Sequence, residues 1–218
     1  MKDRVEAALA ALRRKSTRHD FDNLARFGIA ATRPFGVSMA NLKVLAKGLG
    51  RDHALAAALW DSGRYEAQLL ATLVDDPARV TPAQMEAWCR DFDNWGIVDT
   101  ACFALFDRTP HAWSKVSQWS KRRGEFQKRA AFALLWGLTV HDKAAEDAKF
   151  VEGLGLIEKA ATDERHFVKK AVSMALRATG KRNARLRVAA IELSRRLAAS
   201  PHPTPSWIGK DALRDLKA

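Results

Sequence analysis

The chain has 218 residues, 47% of them hydrophobic, so it can bury a sizeable core. Its 37 Lys and Arg against 25 Asp and Glu give a net charge of +12, which directs it towards polyanions such as nucleic acid. Charges at Lys2, Asp3, Arg4, Glu6, Arg13 and Arg14 interrupt the first apolar stretch, a pattern not expected of a signal peptide, and no run approaches a membrane span.

Apolar residues recur at helical spacing along almost the whole chain, and strand-like alternation is absent, so the expected class is all-α. Helices are predicted over 3 to 14, 20 to 27, 39 to 49, 52 to 61, 64 to 75, 82 to 91 and 94 to 106. They continue over 110 to 121, 124 to 140, 146 to 161, 164 to 179, 183 to 198 and 205 to 217. Ser38, Thr81-Pro82 and Thr109-Pro110 supply start signals, and Gly50, Gly63, Gly124 and Gly180 supply stops. The stretches Thr32 to Val37 and Ser200 to Pro205 are irregular but short, so one continuous domain over 1–218 is expected.

Glu125-Phe126-Gln127-Lys128-Arg129-Ala130-Ala131 aligns with His166-Phe167-Val168-Lys169-Lys170-Ala171-Val172 at an offset of 41 residues, the period of HEAT-like helix pairs. Such pairs cannot bury their apolar stripes alone and stack into a curved solenoid with a concave side, here predicted to be basic. In that arrangement Lys128 and Arg129 would stand over Lys169 and Lys170. From Asp163 to Ala218 there are 13 Lys or Arg against 5 Asp or Glu. A second basic cluster holds Lys115, Lys121, Arg122, Arg123, Lys128 and Arg129, while Val140 to Glu164 is net acidic. Basic groups at phosphate spacing bring salt-sensitive, sequence-independent affinity, although each cluster taken alone also fits a solvated helix face.

Within this basic chain, Asp93-Asn94-Trp95-Gly96-Ile97-Val98-Asp99 places an indole and a carboxylate four residues apart, on one helix face. An aromatic face beside a fixed negative charge suits a cationic ligand or a transition state that develops positive charge. Asp99 is flanked by Val98, Ala101, Cys102 and Phe103, and a carboxylate in apolar company needs a reason: a buried ion pair, Arg129 being one partner, or an electrostatic role in a cleft. Trp60, Trp88, Trp113, Trp119 and Trp207 read as packing residues, and so does Trp136. Cys89 and Cys102 read as reduced core thiols of a cytoplasmic protein. No Gly-rich phosphate loop, zinc pattern or nucleophile elbow is present, and the six histidines are scattered, so neither a metal nor a cofactor is expected.

The ordered set Ala25-Arg26-Phe27-Gly28-Ile29, Phe35-Gly36-Val37-Ser38, Asp93 to Asp99, Lys128 to Ala133, Phe167 to Val172 and Trp207 to Arg214 resembles the AlkD-type DNA alkylation repair proteins, the HEAT-like-repeat DNA glycosylases. The resemblance covers nearly the whole chain. It implies a monofunctional glycosylase that excises cationic N3- or N7-alkylated purines from double-stranded DNA without flipping the base. The family's Trp-x-x-x-Asp falls on Trp95 and Asp99, and its cleft arginine on Arg129. Asp99 would then stabilise the sugar cation and orient water, Trp95 would contact the sugar, and Arg129 would hold a neighbouring phosphate. Lys128, Lys169, Lys170, Lys121, Arg122 and Arg123 would track the backbone. The protein is expected to act as a monomer, with no membrane and no small-molecule partner.

One departure stands out: Met174 occupies the position where the family commonly has a second cleft tryptophan. Methionine packs well but offers no π face to a cation, which implies weakened or narrowed excision. The alternative expectation is therefore a non-catalytic HEAT-like module that binds distorted or branched DNA. A protein-binding solenoid is disfavoured by the concentrated basic charge.

Overall fold

The computed structural model describes residues 1–216, which contain thirteen α-helices, one short 3₁₀ turn and no strand. Each predicted helix is present, with ends displaced by three residues at most. The expected end of the last helix at residue 217 lies outside the described residues. The chain divides into two compact units, the first Met1–Thr109 and the second beginning at Pro110.

The first unit holds α1 (Lys2–Lys15), α2 (Arg18–Arg26), α3 (Met39–Leu49), α4 (His53–Asp61), α5 (Tyr65–Val74), α6 (Pro82–Arg90) and α7 (Trp95–Ala104). Short polar side chains start most of these helices by accepting an otherwise orphaned N–H: Thr17 from Asp20, Ser38 from Asn41, Asp52 from Leu55, Thr81 from Gln84 and Asn94 from Ile97. Helix α5 is apolar nearly all round and packs against α3, α4 and α7. Trp60 and Trp88 are buried as expected, stacked with centroids 3.9 Å apart and planes 3° from parallel. The Trp60 indole donates to Asp91 at 2.8 Å, which satisfies its one polar atom.

The second unit holds α8 (Ala112–Trp119), α9 (Glu125–His141), α10 (Asp147–Ala160), α11 (His166–Arg182), α12 (Ala184–Ala198) and α13 (Pro203–Leu216). Helices α9 and α11 are both 17 residues long, begin 41 positions apart and pack on each other, as the repeat implies. Phe126 and Phe167, equivalent positions of the two copies, meet with ring centroids 5.2 Å apart. Arg182 gathers carbonyls at the end of α9, donating to Thr139 at 3.0 Å and Asp142 at 2.8 Å, with its guanidinium 4.3 Å from the Phe150 ring.

Three punctuation marks act otherwise than the sequence suggests. Thr109 does not start α8, whose N-cap is His111; its hydroxyl donates back to Phe106 at 2.8 Å and closes the 3₁₀ turn after α7. Gly124 is the N-cap of α9 rather than the stop of α8. Gly180 lies inside α11, where a Cβ would come within 2.9 Å of Leu216 and Ala190, so its task is close packing.

Helix crossing is tightest at Gly209 of α13, where a Cβ would stand 2.3 Å from the Ala198 nitrogen and 2.4 Å from the Ser194 carbonyl oxygen. Gly209→Ala must push backbone apart and should destabilise the fold by about 2 kcal/mol or more. Gly155→Ala, at a helical position with nothing within 4 Å, should be neutral or stabilising by about 0.5–1 kcal/mol. Urea denaturation of both variants, monitored by circular dichroism, checks the contrast.

Candidate nucleic-acid site

The first unit's candidate site is built on a buried carboxylate of α5. Glu66, 1% exposed on α5, accepts backbone N–H groups from Phe35 at 2.7 Å, Gly36 at 2.7 Å and Val37 at 3.2 Å. Three charge-assisted bonds offset the cost of burying the anion and fix the irregular segment between α2 and α3. Gly36 makes this turn possible, with φ of 82° and no room for a Cβ, which would meet Phe21 at 2.7 Å. The same segment is tied to α2 and α5 through Thr17 N–H to Gly36 and Tyr65 N–H to Thr32.

This loop in turn braces the Trp95 motif. Thr32 donates to Asp93 at 2.9 Å, and the Asn94 amide donates to the other Asp93 oxygen at 2.7 Å. Asn94, 2% exposed, caps α7 by accepting from Ile97 at 3.1 Å. The Trp95 indole N–H donates to the Phe27 carbonyl at 3.0 Å, so the ring's orientation is set by the end of α2. Gly96 is glycine because the Tyr65 hydroxyl lies where a Cβ would be, 2.4 Å away. Ile97 and Val98 point into the core, while Trp95 and Asp99 are each half-buried. Asp99 is thus not sealed inside the fold, and an indole and a carboxylate one helical turn apart reach the surface of the first unit.

Tyr65, the single tyrosine of the chain, also belongs to this neighbourhood. Burial pushes its phenol far above the usual value, and the Glu66, Asp93 and Asp99 carboxylates add to the shift. It is a neutral hydroxyl at any physiological pH. Both Tyr65 and Glu66 were open to sequence reasoning by the argument applied to Asp99, since polar groups among Ala67, Leu69, Leu70 and Ala71 need partners. The partners of Glu66 lie about thirty positions away, beyond any local pattern.

In the second unit, the basic residues divide into structural and surface groups. Arg129 is 5% exposed and donates to the Phe167 carbonyl at 2.9 Å. Lys128 pairs with Asp163 at 2.9 Å. Glu125 accepts the Phe167 N–H at 3.0 Å, and Arg165 bonds both Asp163 and the Arg123 carbonyl. Lys128 and Arg129 therefore serve the start of α11. Lys169 and Lys170 place their ammonium groups 5.0 and 5.1 Å from the Trp207 ring centre. Lys121, Arg122, Arg123 and Lys170 are exposed, whereas Lys169 and Met174 are half-buried. Among the described residues no His, Cys, Asp or Glu cluster could hold a metal ion, and no helix is long and apolar enough to cross a membrane.

An all-helical chain whose second unit repeats a 17-residue helix at an offset of 41 positions has the architecture of the helical-repeat proteins. Residues 8–216 match the model of the DNA alkylation repair enzyme family, and the chain belongs to that family. A solved structure described as a new family of proteins related to the HEAT-like repeat DNA glycosylases, with affinity for branched DNA structures, has the same fold. Its TM-score is 0.80 at 17% identity, over 96% of this chain and 94% of that one. Among curated proteins nothing matches the chain.

Two consequences of these contacts can be measured. Glu66→Gln puts an amide where three N–H groups converge and should cost about 2 kcal/mol of stability. Arg165 and then Lys128 hold the Asp163 carboxyl down at about 2, against an ordinary 3.8. A carboxylate depressed in the folded state adds stability that is full above the unfolded value and fades as pH falls through the folded one. The stability advantage of the natural protein over Asp163→Asn should accordingly be greatest at neutral pH and disappear between pH 3.8 and about 2. Thermal melts across that range give the answer, and an advantage that persists at the acid end would contradict it.

Proposed function

We propose that the protein is a monofunctional DNA glycosylase that releases cationic N3- or N7-alkylated purines from double-stranded DNA without drawing the base into a pocket. The observation that carries this reading is Asp99, partly open to solvent one turn beyond an indole whose orientation the Phe27 carbonyl has already set. An alkylated purine bears a positive charge before reaction, so stretching its glycosidic bond returns the bonding electrons to the base, which departs neutral. The charge passes to the deoxyribose, which approaches an oxocarbenium ion. A fixed carboxylate and an indole face stabilise that ion better than they do the ground state. Water then adds hydroxide at the anomeric carbon, its proton going to Asp99 or to solvent, as in sugar hydrolysis. No strong general acid is needed.

In this reading Trp95 contacts the sugar, and the exposed Lys121, Arg122, Arg123 and Lys170, with Lys169, bind phosphates. Arg129 and Lys128 contribute by ordering the start of α11, Arg129 from within the fold. Met174 supplies apolar contact where the family commonly has an indole.

Met174 also favours the second reading, a non-catalytic module for branched DNA, to which the described affinity of the structural relative lends support. Excision and binding separate the two. Asp99→Asn should lower release of 7-methylguanine from methylated DNA by about a hundredfold or more while changing duplex affinity by less than about twofold. Chromatography of released bases beside fluorescence anisotropy supplies both values. Absence of release by the natural protein, with tight binding retained, would establish the second reading instead.

A further inference from the structure

Trp207 reads from the sequence as a packing residue, and in the structure it is half-buried with two ammonium groups over its ring. Lys169 and Lys170 stand on α11, and Trp207 opens a face of α13 on which Lys210, Asp211 and Arg214 follow at helical spacing. These residues, with Leu213, line an open groove on the second unit. Its carboxylate is already engaged: Asp211 accepts from Ser173 at 2.6 Å and from Arg214 at 2.6 Å. The guanidinium of Arg177 lies 3.6 Å from it as well. The remaining charge around the indole is positive, with Lys170 and Lys210 both exposed.

Two like charges converging on one ring repel each other, and an anion between them relieves that repulsion. The ring itself offers a flat apolar surface. A ligand that satisfies both features has a π face and a phosphate, which is the chemistry of a nucleotide. In an intact duplex each base is covered by its neighbours, so only an unpaired nucleotide has a face to offer.

We propose that Trp207, flanked by Lys169, Lys170 and Lys210, is a stacking site for an unpaired nucleotide of DNA, such as one at a flap, gap or branch. The proposal rests on the reading that this protein binds DNA, and it adds a second recognition point distinct from the Trp95 and Asp99 pair.

The test is fluorescence anisotropy over a salt series with a labelled duplex and with the same duplex carrying a short single-stranded flap. The natural protein should prefer the flapped form. Trp207→Leu, which keeps apolar volume and removes the π face, should weaken flap binding by about tenfold and duplex binding by less than about twofold, with the salt slope unchanged. Trp207→Phe should keep most of the preference. Lys170→Ala should instead lower the salt slope by about one on the flapped DNA. Equal behaviour of the Leu and Phe variants, or equal losses on both DNAs, would overturn the stacking site and leave duplex recognition standing. Failure of the natural protein to bind either DNA would overturn the DNA reading as well.

Discussion

The organisation of the first unit depends on one buried anion. Glu66 has no cation beside it among its hydrogen-bond partners; it is held by three backbone N–H groups of Phe35, Gly36 and Val37. That bond set draws the segment between α2 and α3 onto α5, and with it Thr32, whose hydroxyl steadies Asp93. From Asp93 the chain turns into the Asn94 cap and then into Trp95. A carboxylate far from the indole in sequence therefore governs where the indole stands, which is the relation between scaffold and loop seen wherever functional groups are placed by rigid elements.

The second unit makes a different use of charge. Arg129, Lys128, Arg165 and Arg182 bond carbonyls or Asp163 at the junctions of α9, α10 and α11, so part of the chain's positive charge builds the repeat. The cationic surface is left to the groups that reach solvent, among them Lys121, Arg122, Arg123 and Lys170. The net charge of +12 thus overstates the cationic surface, and under the DNA-binding proposal the salt dependence follows the exposed subset rather than the total.

Helices were legible in the sequence because periodicity, caps such as Ser38 and Thr81, and prolines at first turns are local signals. The 41-residue offset was legible for the same reason, and α9 and α11 carry it over their full length. Long-range tasks were not legible. Gly180 looked like a stop because glycine often ends helices, whereas its missing Cβ admits Leu216 and Ala190. Arg129 reads as a cleft base or as the partner of a buried carboxylate, and nothing local to it shows that it donates to the Phe167 carbonyl 38 positions away. Trp95 and Asp99 could be paired by spacing alone, but the Phe27 carbonyl that holds the indole is 68 positions away. Trp207 passed for core since nothing adjacent to it in the chain shows that α11 brings two lysines over its ring.

Anchoring of the Trp95 N–H has a bearing on how selectivity could arise. A side chain held in this way has little rotamer freedom left to lose, so contact with it costs the protein almost nothing in conformational entropy. The adjustment falls on the other partner, and its size depends on how readily that partner deforms. Under the glycosylase reading, stiff undamaged duplex meets a rigid indole at a penalty, while a helix softened by a lesion yields to it, so mechanical compliance becomes part of what is recognised.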